Sequence, residues 1–319
     1  MIPYSPLQLM FFFFTYCFFG WIIESTWVSL HQKRFVNRGF LRGPFIPIYG
    51  CGAMTLVLVG TPLLKWPVAV FFGGMISASI LEYVTGAAME AVFKVRYWDY
   101  SDKPFNINGH VCLFTSVCWG GLSLAVDYVI HKPIVALTEH MTYKELVLIV
   151  TVVAVYFIVD CTLSFKAAFD LRALIIRMEK AKEDLRIMQK RLDVILAFAD
   201  ADKDAFVDAS LEKAGDIIDA GKEKISDIID GVDERFRAAR KFMEETPERF
   251  ADNIKNELTE LRDKFVITKR DEMSENTVWD FYKRGIFLGN PSLKSIKFSE
   301  TVDTLKDYVM DLKKKRKEK

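Results

Sequence analysis

The sequence predicts an all-α polytopic membrane protein, with a bundle of five transmembrane helices over residues 1–165 and a charged cytoplasmic helical tail over residues 166–319. The first observation is the charge distribution: only ten of the 43 Lys and Arg and nine of the 42 Asp and Glu lie in the first region. The second is that this region contains five apolar stretches long enough to cross a hydrocarbon core about 30 Å thick. The uneven charge excludes a single soluble globular domain. The formal net charge of +1 excludes a strongly basic nucleic-acid-binding protein, so no nucleic-acid partner is expected.

The five predicted spans share a nearly uncharged centre of about spanning length. They are residues 7–30, 44–64, 67–93, 111–130 and 145–169. Because lipid offers the backbone no hydrogen bonds, each span must satisfy its own peptide groups as a helix. The first span has no preceding Lys or Arg and no small-residue cleavage site, which predicts a retained helix rather than a signal peptide.

The basic residues of the connecting loops predict the orientation. The loops after the first and third spans carry Lys33, Arg34, Arg38, Arg42, Lys94, Arg96 and Lys103, and those after the second and fourth carry Lys65, Lys132 and Lys144. Cytoplasmic loops carry the excess of Lys and Arg. We therefore expect a multi-pass protein of the plasma membrane with its N-terminus outside and its C-terminus in the cytoplasm.

The charged region begins with an apolar seam that continues directly from the fifth span. Its members alternate spacings of three and four residues over four heptads, which predicts a coiled coil or a helical hairpin. They are Leu171, Leu174, Met178, Ala181, Leu185, Met188, Leu192 and Ile195. A thinner seam follows over residues 211–232. We expect residues 166–235 to mediate self-association into a homo-oligomer or the docking of a partner.

Two further helices are predicted nearer the C-terminus. Thr246 followed by Pro247 is typical of a helix N-terminus. After a break at Asn290–Pro291, a last helix begins at Ser299 or Thr301. The final residues are almost all basic, which is typical of a solvated terminus or of a segment attracted to the anionic lipid of the inner leaflet. An amphipathic helix on the membrane surface is the alternative role of this region.

Ionisable and polar residues inside the predicted spans point to a site, because such side chains usually face the bundle interior or a water-filled cavity. At the predicted orientation, four different helices direct such groups into the cytoplasmic half of the bundle; they are Glu24, Tyr49, Glu82 and Asp160. The two inner loops are dense in aromatic, Asn, Gly and charged residues. We interpret the pattern as a polar cavity that these loops cover. Interfacial anchoring by the loop aromatics and Arg residues is the alternative.

The ligand-binding candidates are the polar and aromatic side chains of this predicted cavity. They are Glu24, Asn37, Arg38, Tyr49, Glu82, Tyr83, Arg96, Trp98, Asp99, Tyr100, Asn106 and Asn108. The Arg side chains are suited to hold an anionic group through paired hydrogen bonds. For acid–base chemistry the candidates are Glu82 or Asp99 as base and His110 as acid.

Several classes of active site lack their sequence signature here. There is no phosphate-binding loop, since Gly215–Lys222 has the wrong spacing and is followed by Glu223. No zinc-protease, serine-hydrolase or paired-cysteine pattern occurs, so neither a metal nor a cofactor is expected. The five Cys lie in or beside predicted spans and are interpreted as small packing residues.

Several short motifs are typical of one bacterial membrane family. They are Gly20-Trp21 with Glu24, Phe35-Val36-Asn37-Arg38-Gly39-Phe40-Leu41, Gly43-Pro44-Phe45, Pro47-Ile48-Tyr49-Gly50, Leu81-Glu82-Tyr83, Trp98-Asp99-Tyr100-Ser101, Pro104-Phe105-Asn106, and Asn108-Gly109 with Cys112-Leu113. On these residues the chain resembles the putative ABC-transporter type IV family over roughly residues 8–165. The resemblance implies a permease-like membrane component, with a separate ATP-binding subunit as its partner. Residues 290–295 also resemble tails found in that family.

Three functions stay open at this point. The leading hypothesis is a transport-associated component that binds a polar or anionic solute, or a lipid headgroup, in the cytoplasmic-side cavity. The second is a membrane-embedded enzyme that acts on a lipid. The third is a non-catalytic scaffold, in which the polar residues fix the helix packing and the coiled-coil tail recruits partners.

Overall fold

A computed structural model describes residues 4–200, Asn256 and residues 278–317. The helices are α1 (Pro6–Gln32), α2 (Pro47–Gly60, followed by a 3₁₀ turn at Thr61–Leu63), α3 (Pro67–Phe93), α4 (Leu113–Ala125), α5 (His131–His140), α6 (Tyr143–Asp200), α7 (Val278–Gly289) and α8 (Ser299–Lys317). A π-helical turn, Val126–Ile130, joins α4 to α5. Two short antiparallel strands, β1 (Asn106–Ile107) and β2 (Val111–Cys112), precede α4. The described residues are thus mostly helical, as predicted.

The local sequence sets both ends of α1. The N–H of Gln8 donates to the Ser5 hydroxyl at 3.3 Å, and the N–H of Ser5 donates to the Gln8 side-chain oxygen at 3.0 Å. This capping box satisfies N–H groups at the start of the helix, and Pro6 fits the first helical position. The helix ends at Gln32, where Lys33 adopts a left-handed conformation with φ 48°.

Four helical segments are long and apolar enough to cross a membrane: Pro6–Gln32, Pro67–Phe93, Leu113–His140 and Tyr143–Asp184. The predicted count of five is not confirmed, because α2 has only 14 residues. At a rise of about 1.5 Å per residue, α2 is about 21 Å long, against a hydrocarbon core of about 30 Å. It packs against both α1 and α3.

The segment predicted to span residues 111–130 has different ends in the structure. It begins at Leu113, because Val111 and Cys112 pair with β1. It then continues past residue 130 to His140, so most of the predicted outer loop is helical. A helical Pro clashes with the carbonyl four residues before it. Val129, four residues before Pro133, lies in the π-helical turn, and the helix continues through Pro133 to His140.

Side chains of α1 contribute to two apolar clusters within the membrane unit, which comprises residues 4–171 and 278–297 of the described chain. One cluster contains Phe12, Tyr16, Ala53, Leu56, Val57, Ala78, Val126 and Ile134, and the other contains Phe14, Cys17, Leu41, Phe45, Leu146 and Val150. On α3, Phe72, Ile76 and Ile80 are exposed at four-residue spacing. That stripe is the lipid-facing side expected of a membrane helix.

The second unit comprises residues 172–276 and 298–319, of which residues 172–200, Asn256 and 298–317 are described. Here α8 pairs with α6, since the Thr301 hydroxyl donates to Glu179 Oε2 at 2.7 Å and Lys182 forms an ion pair with Glu300. The apolar residues Leu174, Ile175, Met178, Val302, Leu305 and Val309 are buried. The prediction of a last helix starting at Ser299 is confirmed.

The coiled-coil tail is not confirmed. Of its first seam, Leu171, Leu174 and Met178 are buried. The predicted helices over residues 211–232 and 246–265 lie outside the described residues, apart from Asn256. Helix α7 was not predicted; in this part of the chain the sequence analysis identified only the break at Asn290–Pro291.

Candidate functional site

Arg38 lies at the centre of the polar residues that the structure brings together. Its Nε donates to Glu24 Oε2 of α1 at 3.0 Å, and the Arg38 side chain is only 12% exposed. One terminal nitrogen donates to Asn290 Oδ1 at 2.9 Å, and the other approaches the Tyr97 carbonyl and the Ser292 hydroxyl at 3.4 and 3.3 Å. Arg38 therefore links α1, loop one (residues 31–43), loop three (residues 94–110) and the chain after α7.

Tyr49 completes the bonding of Glu24. Its hydroxyl donates to Glu24 Oε1 at 3.0 Å, so both carboxylate oxygens have partners. The ring of Tyr49 packs directly onto Gly20, where a side chain on Gly20 would collide with it. Gly20 and Glu24 are one helical turn apart on α1, which explains how α2 can approach closely enough for this bond.

Glu82 of α3 is buried, at 6% exposure, and its two oxygens also have partners. The hydroxyl of Tyr100 donates to Oε1 at 3.2 Å, and the indole of Trp119 donates to Oε2 at 3.0 Å. The rings of Trp119 and Tyr49 lie 6.4 Å apart, centre to centre. The Tyr49–Glu24 and Trp119–Glu82 hydrogen bonds therefore lie beside each other, because the rings of Tyr49 and Trp119 are neighbours. Trp119 was not among the predicted site residues.

Arg96 of loop three binds two carboxylates, one from α3 and one from its own loop. Its Nε donates to Glu90 Oε2 at 2.7 Å and one terminal nitrogen donates to Asp99 Oδ1 at 3.3 Å. His110 Nε2 lies 3.3 Å from Glu90 Oε2, and the indole of Trp98 donates to the His110 carbonyl at 3.0 Å. The carboxylate that contacts His110 is thus that of Glu90, which the sequence analysis did not include.

The remaining predicted residues of loops one and three hold the loops in shape. Asn106 bonds to three backbone groups of loop three, those of Ser101, Lys103 and Gly109, at 2.8 to 3.2 Å. Asn108, in a left-handed conformation, donates to the Tyr83 hydroxyl at 2.9 Å. Asn37 accepts from the Trp21 indole and donates to the Arg42 carbonyl, both at 2.5 Å.

The C-terminal segment, residues 278–297, is the part of the site that the sequence analysis missed. Besides Asn290 and Ser292, its Tyr282 hydroxyl donates to Asp160 Oδ1 at 2.9 Å, while the N–H of Gly43 donates to Asp160 Oδ2 at 2.8 Å. The guanidinium of Arg42 lies 4.3 Å above the ring of Phe281. Asp160, predicted to face the bundle interior, is 2% exposed and binds this segment through Tyr282. The signal available in the sequence was the resemblance of residues 290–295 to tails of the family.

The electrostatics of loop three follow from burial and neighbouring charges. Burial alone would raise the pKa of Asp99, but hydrogen bonds from Ser101 and the charges of Lys294 and Arg96 outweigh it and lower that pKa. Burial, aided by the positive charge of Arg96, lowers the pKa of His110 against the opposing effect of Glu90 and Asp99. Burial, then the charge of Glu82, raises the pKa of Tyr100.

The predicted residues thus form one polar loop cluster: Glu24, Asn37, Arg38, Tyr49, Glu82, Tyr83, Arg96, Trp98, Asp99, Tyr100, Asn106, Asn108 and His110. Their polar atoms bond mainly to one another and to the C-terminal segment. An apolar groove of about 370 Å³ lies elsewhere, lined by residues of α1, α2 and α6 such as Phe13, Met54 and Phe157. Within residues 4–200 and 278–317, no three His, Cys, Asp or Glu side chains are grouped to hold a metal ion.

Comparisons with known proteins agree with the architecture. The family model described as putative ABC-transporter type IV matches residues 11–165. That range contains most of α1, all of α2 to α5, the two loops of the cluster and the first part of α6. With four apolar helices of spanning length, the chain is a multi-pass membrane protein. No curated protein and no solved structure matches the chain.

Proposed function

Since the membrane region of this chain belongs to the putative ABC-transporter type IV family, we propose that the protein is a non-catalytic membrane component of a transport system. In this proposal the polar loop cluster anchors the C-terminal segment onto loops one and three. The observation that carries it is the bonding of Arg38, whose guanidinium joins Glu24, Tyr97 and Asn290.

The pairing of charges supports an anchoring role over an open binding site. Arg38 faces Glu24, and Arg96 faces Glu90 and Asp99. Buried charges are tolerated when they are paired and hydrogen-bonded, and breaking one such pair leaves an uncompensated charge. The cluster is therefore suited to fix the arrangement of helices and loops around the C-terminal segment.

The partner of this proposal is a separate ATP-binding subunit, because the chain itself has no phosphate-binding loop. Loops one and three and the C-terminal segment meet in one place, and the excess of basic residues in the two loops favours the cytoplasmic side for it. We propose that this face receives the subunit. Self-association through residues 166–235 is a further proposal of the same kind.

The test uses the full-length protein, expressed with an affinity tag in its source organism. Wild type should co-purify one protein whose sequence contains a phosphate-binding loop, and Arg38→Ala should reduce its recovery at least about fivefold. Lys132→Ala, an exposed change in α5 and outside loops one and three, is the matched control and should recover wild-type amounts. Undiminished recovery with Arg38→Ala, or recovery of no such protein, contradicts the proposal.

Anion binding at Arg38 is the second candidate function. It is favoured by one observation: apart from Glu24, the acceptors on Arg38 are neutral oxygens of Tyr97, Gly289, Asn290 and Ser292. An anionic solute or a lipid phosphate forms stronger bonds to guanidinium than such neutral groups do. If this is its role, phosphate or phosphatidylglycerol should raise the unfolding temperature of the wild type and leave that of Arg38→Gln unchanged.

A further inference from the structure

A second set of buried ionisable groups lies away from the polar loop cluster, where α2 turns into α3. Asp127 is 7% exposed and sits in the π-helical turn between α4 and α5. The Ser123 hydroxyl lies 3.3 Å from Asp127 Oδ2 and 3.1 Å from the Val70 carbonyl near the start of α3. The carboxylate of Asp127 packs against Gly60 at the end of α2, in space that any side chain there would fill.

His131 is the second member of this set. It is 6% exposed, and its Nδ1 lies 2.9 Å from the Tyr16 hydroxyl of α1. Its other ring nitrogen, Nε2, is buried and has no hydrogen-bond partner among the described residues. The rings of Tyr4 and Phe12 pack edge-on against it, with centres 5.3 and 4.8 Å away.

Asp127 and His131 lie on the same side of the helix, because they are four residues apart. The N–H of His131 donates to the carbonyl of Val126, five residues earlier, which closes the π-helical turn that contains Asp127. The negative charge of Asp127 also acts on the hydroxyls of Tyr4 and Tyr16, and that of Glu139 acts on Tyr4. The titratable groups that act on the set are thus Tyr4, just before α1, Tyr16 of α1 and Glu139 of α5. Helices α2 and α3 contribute backbone at Gly60 and Val70.

Ionisable residues at membrane depth are costly, and they often mark ion or proton pathways. A His ring with one bonded and one unpartnered nitrogen has a vacant position for a proton. If Nδ1 carries the hydrogen and donates to Tyr16, Nε2 presents a free lone pair. A metal ion is a poorer fit, since Asp127 and His131 supply only two ligands of the usual kind.

We propose that Asp127, Tyr16 and His131 form a buried proton-binding site in the membrane unit. The site takes one proton from water: a new N–H bond forms at His131 Nε2, or an O–H bond at Asp127, and hydroxide or a water molecule is left behind. With the proton bound the set is net neutral, and without it the set carries the single negative charge of Asp127. The Tyr16 hydroxyl, which is bonded to His131 and lies within reach of the charge of Asp127, keeps its own proton.

The experiment follows protonation directly in the purified full-length protein in lipid nanodiscs. Infrared difference spectra between about pH 5 and pH 8 should contain a carboxylic-acid band that Asp127→Asn removes. In protein labelled with ¹⁵N-histidine, His131, assigned from the loss of its signal in His131→Gln, should titrate in the same range. Asp127→Asn should move its midpoint by about one pH unit or more.

The control is His140→Gln, in the same helix and more exposed, which should leave the infrared band and the His131 midpoint unchanged. Tyr16→Phe keeps the ring but removes the hydroxyl that is bonded to His131, and should also move the His131 midpoint even if Asp127→Asn fails to fold. The proposal is overturned if no carboxylic-acid band or His131 signal titrates in this range, if the band persists in folded Asp127→Asn, or if Tyr16→Phe leaves the midpoint of His131 in place.

Discussion

Arg96 of loop three and Lys294 of the C-terminal segment are paired through their backbones in both directions. The N–H of Arg96 donates to the Lys294 carbonyl at 2.6 Å, and the N–H of Lys294 donates to the Arg96 carbonyl at 3.0 Å. The hydroxyls of Ser292 and Ser295 add bonds to the carbonyls of Tyr97 and Lys94 at 3.0 and 2.6 Å. The segment is therefore attached to loop three by main-chain bonds, which depend little on side-chain identity.

Replacing Lys294 with Pro should release the segment. Pro has no N–H, so the bond to the Arg96 carbonyl is lost while that carbonyl stays shielded from water. We expect hydrogen exchange of the peptide covering residues 289–297 to accelerate about tenfold, which corresponds to about 1.4 kcal/mol. Hydrogen-exchange mass spectrometry measures this directly.

Lys294→Ala is the matched control for that change. It keeps the backbone bonds and removes only the exposed ion pair between Lys294 Nζ and Asp99, which are 3.6 Å apart. Such pairs contribute about 0–1 kcal/mol. If Lys294→Ala accelerates exchange as much as Lys294→Pro, the side chain and not the backbone attaches the segment.

Gly109→Ala should destabilise loop three. Gly109 has φ +73°, and an added Cβ would lie 2.5 Å from Arg96 Nη1 and 2.7 Å from Asp99 Oδ1. Both the left-handed backbone and the crowding disfavour Ala, so we expect the free energy of unfolding to fall by about 1–3 kcal/mol. Gly121→Ala, where a Cβ would have open space within α4, should leave the unfolding temperature equal or higher. Equal stabilities of the two variants would contradict this account of Gly109.

Arg38→Lys should behave almost like Arg38→Ala, although it keeps the charge. A Lys ammonium cannot match the fork that reaches Glu24, Asn290 and the Tyr97 carbonyl together. We expect either variant to lose about 1.5–3 kcal/mol of the free energy of unfolding. A double-mutant cycle with Glu24→Gln should show a coupling energy of about 1 kcal/mol or more. Purely additive effects would mean that Arg38 and Glu24 are not energetically paired.

The sequence predicted the membrane helices because apolar length is a local property. It also singled out Glu24, Tyr49 and Glu82 as polar residues inside predicted spans. The structure bonds Tyr49 to Glu24 and Tyr100 to Glu82, while the cavity and its ligand stay predictions. The short α2 was harder to predict, because residues 44–46 are apolar enough to belong to the span but precede the helix. Ile46 has an extended backbone and donates its N–H to the Cys17 carbonyl of α1 at 3.1 Å.

The C-terminal segment could not be predicted as part of the site from the same reasoning. Asn290 lies more than 250 residues from Arg38, and no periodic pattern connects the two. The bonds of the C-terminal segment depend on which backbone carbonyls of loops one and three are free to accept a hydrogen bond. The packing of the helices decides which carbonyls those are. The same applies to Glu90, which lies near the predicted end of a span and reads as a boundary residue until Arg96 and His110 are seen beside it.

The lowered pKa of His110 predicts a specific pH dependence of stability. The unfolded chain, with a His pKa near 6.5, takes up a proton before the folded protein does as the pH falls. The free energy of unfolding should therefore decrease as the pH drops below about 6.5, and level off below the folded-state pKa. His110→Gln removes this contribution, so the difference in unfolding temperature between wild type and variant should change with pH in that window and stay constant above it. His140→Gln, an exposed control, should follow the wild-type curve. A difference between wild type and His110→Gln that is constant from about pH 5 to pH 8 would show that His110 protonates equally in both states.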